Sequence, residues 1–142
     1  MIIRKIIFED IPGLAELYRQ FWNVPSDVSK MEELFHKIES KEEYILLGAL
    51  EEYKLIGTVM GIVCEELYGD CRPFLLIENF IIDQKHRRKG VGRLLLAEVE
   101  KWAQEKNCRQ AILVSEAERE DARHFYHACG FPTGNIGFKK KF

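Results

Sequence analysis

Arg87, Gly90 and Gly92 form the pattern R-x-x-G-x-G inside I-I-D-Q-K-H-R-R-K-G-V-G-R-L-L-L, residues 81–96. Lys85, His86, Arg87, Arg88 and Lys89 stand directly before the two glycines, where an apolar run gives way to a helical one. Unsatisfied N–H groups at a helix start, the positive end of the helix dipole and several cations would then meet at one point, which suits a phosphate. Two glycines in a first turn cost about 1 kcal/mol each relative to alanine, so a bound anion accounts for them better than a solvated turn. No Lys-Ser or Lys-Thr follows the second glycine, which excludes a P-loop, and Leu95 occupies the third-glycine position of a dinucleotide fingerprint.

The elements that would position this pattern can be read along the chain. Ile2 to Phe8 reads as a short strand, and Asp10 with Pro12 suggests a capped helix through about Phe21. A second helix is expected over Val28–Ser40, with Met31, Leu34, Phe35 and Ile38 on one face. Y-I-L-L-G-A-L and L-I-G-T-V-M-G-I-V-C-E-E-L flank the polar turn E-E-Y-K and read as a hairpin, and R-P-F-L-L-I-E-N-F-I-I-D reads as a further long strand. Val91, Leu95, Val99 and Trp102 recur at helical spacing from Gly90 to Lys106. R-Q-A-I-L-V-S is expected as a buried strand, E-R-E-D-A-R-H-F-Y-H-A-C as a helix closed by Gly130, and N-I-G-F-K-K-K-F as a final strand. The order β-α-α-β-β-β-α-β-α-β implies an α/β fold of the α+β kind, a central mixed sheet with helices on both faces.

Length and composition bound the possibilities. A chain of 142 residues, 46% hydrophobic and 31% charged, corresponds to a single domain over residues 1–142. A formal net charge of −2 argues against a general nucleic-acid binder, while one local basic cluster can still serve one anionic ligand. Cys64, Cys71, Cys108 and Cys129 have neither disulfide-framework nor zinc spacing, so reduced, mostly buried thiols and no metal are expected. His124, His127 and Cys129 lack further ligands and read as surface or packing residues. The opening apolar run is broken by Arg4 and Lys5, and no segment approaches ~18 apolar residues, so a cytoplasmic protein without a membrane partner is expected.

Two motifs together are more specific than either alone. F-I-I-D-Q-K-H-R-R-K-G-V-G-R-L-L-L, and later A-x-x-F-Y-x-x-x-G-F at Ala122, Phe125, Tyr126, Gly130 and Phe131, resemble the GNAT superfamily of acetyl-CoA-dependent N-acetyltransferases over about residues 75–131. The resemblance implies a GNAT fold in which a splayed pair of parallel strands binds acetyl-CoA, with pantetheine lying in the gap like an extra strand. Main-chain groups of Phe80, Ile81 and Ile82 would hold the pantetheine. Arg87, Arg88, Lys89, Gly90, Val91, Gly92 and Arg93 would hold the pyrophosphate, with Asp121, Phe125 and Tyr126 also at the cofactor. Asp121 departs from the asparagine of many members.

The resemblance also implies roles in the chemistry. An alkyl amine with a pKa near ~10.4 is mostly protonated at neutral pH, so transfer to it requires a base. Glu78, in the apolar run F-L-L-I-E-N-F-I-I, matches the glutamate of some small-molecule acetyltransferases, directly or through water. Tyr126 matches the acid that protonates the departing thiolate, and the Phe80 amide matches the donor to the thioester oxygen. The expected function is transfer of acetyl from acetyl-CoA to a primary amine by direct attack in a ternary complex, with no metal and with a homodimer as the expected assembly. Glu32, Glu33, Glu65, Glu66 and Asp70 hint at a small cationic acceptor, such as a polyamine or aminoglycoside. The alternatives are a protein N-acetyltransferase and a non-catalytic acyl-CoA-binding sensor or regulatory module.

Overall fold

Ile2–Lys5, Tyr44–Glu51, Lys54–Cys64, Phe74–Ile82 and Ala111–Ile112 form the strands β1 to β5 of one sheet, which are neighbours in sequence order. The computed structural model describes residues 1–142. β1 to β4 pair antiparallel, and β4 pairs parallel with β5, so the sheet is mixed. The helices are α1 (Ile11–Trp22), α2 (Val28–Ile38), α3 (Val91–Glu105) and α4 (Glu120–Ala128). The chain divides into two compact units, residues 1–112 and 113–142, each described by itself.

In the first unit, helices cover both faces of the sheet. On one face Ile11, Leu14 and Leu17 of α1 and Phe35 of α2 pack with Ile6, Leu50 and Leu55. On the other face α3 buries Val91, Leu95, Leu96, Val99 and Ala103, extending the expected stripe. Gly61 explains the closeness of that packing, because a Cβ there would lie 2.7 Å from Val99 Cγ2 and 2.9 Å from Ile45 Cγ2. Of the residues expected on the α2 face, Phe35 is buried and Met31 packs partly against the core, but Leu34 is 55% exposed.

Local choices account for the helix and hairpin boundaries. Asp10 precedes α1 as expected, but its side chain does not cap the helix. It accepts hydrogen bonds instead from Arg4 at 2.6 and 3.0 Å and from the Ile7 amide at 2.9 Å. Asp27 does cap α2, accepting from the Lys30 amide. The β2–β3 hairpin turns through Glu52 and Tyr53 at φ 47° and 67°, a geometry that asparagine and glycine usually supply.

Two expectations at the far edge fail. The buried strand around Ala111–Val114 shortens to Ala111–Ile112, and Ile112 is 40% exposed. β5 has a neighbour only on its β4 side, so little holds more of it in the sheet. Residues 131–142 form no strand, and Ile136, Phe138 and Phe142 lie in the open. An extended segment becomes a strand only through a partner backbone, and three consecutive lysines weaken the case for one here. The cysteines are free, but Cys71 is exposed and the other three are only partly buried. No helix is long and apolar enough to cross a membrane.

Candidate active site

The β4–β5 pairing covers Leu75↔Ala111 and Leu76↔Ile112, after which β4 runs on to Ile82 beyond the end of β5. On its other side the register passes from Met60↔Glu78 to Thr58↔Ile81, so Asn79 and Phe80 stand where β3 has Val59 alone. This is a β-bulge, and Asn79 adopts φ 50° within it. A bulge re-aims the backbone of the two residues that form it, which turns a sheet edge into a place for a ligand's polar groups. Tyr18 of α1 lies beside the bulge, where burial pushes its phenol up to about 12 and the neighbouring Asn79 side chain acts against that rise.

Glu78 lies directly before the bulge and is exposed. Its sheet face follows from alternation. Leu75 and Ile77 are buried and Leu75 approaches Gly61 beneath Val99, so Leu76 and Glu78 point to the α1–α2 side. Met60, opposite Glu78, also lines a groove of about 270 Å³ between α2, β1 and β2, where Phe8, Phe35 and Leu46 meet Lys5 and Glu39.

β4 leads directly into the basic segment. Arg88 takes φ 60° and Gly90 takes φ 84° as the residue before α3, a backbone path that suits glycine at Gly90. No side chain caps α3, and a Cβ at Gly90 would meet nothing within 4 Å. The first-turn amides of α3 therefore face open space beside Arg88, Lys89 and Arg93, all exposed. Arg87 donates from Nε to the Ile82 carbonyl at 3.3 Å, tying the segment to the end of β4. This cradle fits the phosphates of a coenzyme A group in charge and in space.

Behind the cradle lies a polar network that the sequence did not reveal. Asp83, 5% exposed, accepts from Gln20 Nε2 at 3.0 Å, the Lys85 amide at 3.0 Å and His86 Nδ1 at 2.6 Å. Burial alone would raise the Asp83 carboxyl, but these hydrogen bonds and the charge of His86 hold it below the usual range. His86 Nε2 stands 3.3 Å from Glu51 Oε2. The spacing D-x-x-H was the only trace of this network in the sequence.

The first unit thus brings together Glu78, Phe80, Ile81, Ile82 and the segment from Arg87 to Arg93. In the second unit α4 carries Asp121, Phe125 and Tyr126. The helix ends in a Schellman motif, with Gly130 N–H to the His127 carbonyl and Phe131 N–H to the Tyr126 carbonyl, both at 3.0 Å. Tyr126 lies edge-on to Phe125 and Phe131 with centroids 5.3 and 6.1 Å away, and burial pushes its phenol up. Burial also raises the thiols of Cys64 and Cys108, which makes neither a ready nucleophile. Of the acidic residues noted in the sequence, Glu66 is occupied by Arg109 at 2.8 Å.

Comparison with known proteins gives these features a family. The acetyltransferase (GNAT) family model matches residues 11–131. An aminoglycoside N(6′)-acetyltransferase type 1 of Stenotrophomonas maltophilia is 25% identical over 131 residues, covering 91% of this chain and 84% of the relative. Among solved structures, glucosamine-6-phosphate N-acetyltransferase from Arabidopsis thaliana superposes with TM-score 0.90 at 23% identity over 99% of this chain and 97% of its own. AAC(6′)-Iy, in complex with the bisubstrate analog CoA-S-monomethyl-acetylneamine, gives 0.81 at 19% identity over 99% and 97%. The chain belongs to the acetyltransferase (GNAT) family and is an acetyl-CoA-dependent N-acetyltransferase.

Proposed function

We propose that the protein transfers acetyl from acetyl-CoA to a primary amine of a small cationic acceptor, by direct attack in a ternary complex. The observation that carries this reading is the bulge of β4, which sets Glu78 beside re-aimed backbone a few residues before the phosphate cradle. When bound, acetyl-CoA supplies an activated acyl thioester. The cradle from Arg87 to Arg93 holds the phosphates and the backbone of Phe80, Ile81 and Ile82 holds the pantetheine. Asp121 and Phe125 contribute further contacts to the cofactor.

Glu78 accepts the proton of the incoming ammonium, directly or through a water, and releases the free amine for attack. The Phe80 amide donates a hydrogen bond to the carbonyl oxygen as charge builds on it. Tyr126 gives its proton to the departing sulfur, which then leaves as a thiol. The Stenotrophomonas maltophilia relative is an aminoglycoside N(6′)-acetyltransferase, which supports an aminoglycoside as the acceptor class, and the exposed Glu78 suits a polycationic amine.

The test is thiol release from acetyl-CoA with a panel of aminoglycosides, polyamines, peptides with free N-termini and lysine peptides. Release stimulated most by the small polycationic amines is expected. Release confined to the peptides would replace this acceptor class with a protein substrate.

A further inference from the structure

Of the basic residues that precede the two glycines, His86 differs from the rest. Its ring is largely covered, with 16% of the side chain exposed, whereas Lys85, Arg87, Arg88 and Lys89 are exposed. Each ring nitrogen faces a carboxylate, Nδ1 at 2.6 Å from Asp83 and Nε2 at 3.3 Å from Glu51. An ionised carboxylate only accepts hydrogen bonds, so Nδ1 carries the proton given to Asp83, while Nε2 stands within ion-pair distance of Glu51. Three pieces of the fold meet there: the end of β4 at Asp83, the end of β2 at Glu51, and α1 through Gln20 on Asp83.

We propose that His86 is a positioning residue for coenzyme A. Its ring, held between Asp83 and Glu51, clasps the turn at residues 83–86 to the β2–β3 hairpin and so fixes where the following amides and arginines meet the phosphates. This rests on the cradle being the phosphate seat. The cradle begins at the residue after His86, so a displaced turn moves every donor in it. Asp83 and Glu51 also place two negative charges behind a site meant for an anion. His86 stands between them with an N–H aimed at Asp83, and without it the pair faces the ligand less well screened. Because both ring nitrogens stand at carboxylates, His86 acts through the turn and does not touch the phosphates.

The experiment compares two donors, acetyl-CoA and acetyl-pantetheine, the second of which lacks the phosphates. With His86→Asn, whose amide can still donate to Asp83 but cannot reach Glu51 and carries no charge, the Kd of acetyl-CoA should rise about 10-fold. The KM for acetyl-pantetheine and the kcat at saturating acetyl-CoA should stay within about 2-fold of the parent, because neither depends on the phosphate contacts. His86→Phe should show a larger loss of the same kind, and His86→Asn retains enough of the network to fold if the phenylalanine variant does not. An unchanged acetyl-CoA affinity in His86→Asn, or an equal loss for both donors, would overturn the inference. The seat itself is read separately on the parent protein, which should use acetyl-pantetheine with a KM at least about 100-fold above that for acetyl-CoA. Equal use of both donors by the parent would remove the seat and the inference with it.

Discussion

Tyr18 of α1 lies beside the side chain of Asn79, the residue held at φ 50° inside the bulge of β4, and that amide tempers the rise that burial imposes on the Tyr18 phenol. The helix thereby holds an otherwise unfavourable backbone turn beside Glu78 and Phe80. Tyr18→Phe keeps the ring and its edge contact with Trp22 at 5.3 Å but removes the hydroxyl beside Asn79. Stability should fall by about 1–2 kcal/mol in urea unfolding. Turnover should fall with it if the Phe80 amide is the proposed donor, since its direction is set by the bulge. Unchanged stability and rate would show that the bulge stands without the tyrosine.

The β2–β3 turn offers the opposite case, a strain that no contact requires. Tyr53 is fully exposed and sits at φ 67°, which costs a residue with a side chain about 1–2 kcal/mol. Tyr53→Gly should therefore stabilise by about 0.5–1 kcal/mol, after the entropy that glycine loses on folding. Melting should move upward by about 2 °C in a domain of this size. A lower melting temperature would contradict the assignment of strain.

Asp83 predicts how the fold responds to acid. Its carboxyl is held below the usual value near ~3.9, so the stabilisation it contributes is fully present above about pH 5 and is lost as the pH falls through its folded value. Asp83→Asn should be less stable than the parent at neutral pH, and the gap should narrow as the pH approaches 3. A gap that is constant or widens toward low pH would contradict a depressed carboxyl. Asp10, lowered against its burial by Arg4 and the Ile7 amide, should add to the same acid limb.

Much of this arrangement was legible in the sequence because its signals are local. The stripe Val91, Leu95 and Val99 is periodic over one helix, and the two glycines after a basic run mark a helix start without a side-chain cap. What escaped is non-local. Asn79 looks like an ordinary interruption of an apolar run, and its conformation becomes evident only when β3 is laid beside it. His86 reads as one more cation until Asp83 and Glu51 close around it. The expected last strand failed for a related reason, since alternation in N-I-G-F-K-K-K-F announces extended backbone but cannot announce a partner.

Tyr126 can be separated into acid and packing residue by Tyr126→Phe, which preserves the contacts with Phe125 and Phe131 and deletes the proton. Turnover at saturating acetyl-CoA should fall by roughly 100-fold, with the dissociation constant of acetyl-CoA almost unmoved. Binding weakened by about 1 kcal/mol with turnover near that of the parent would assign the hydroxyl to cofactor binding instead.

Glu78 is the base in the proposed transfer, and the pH dependence of Glu78→Gln is the sharpest check of that role. The substitution keeps size and hydrogen bonding but removes basicity. With a polycationic amine and saturating acetyl-CoA, the variant should lose at least about 100-fold in rate near neutral pH. It should recover part of that loss toward pH 9–10, where the acceptor loses its proton without help. A variant whose rate and pH profile match those of the parent would contradict the account.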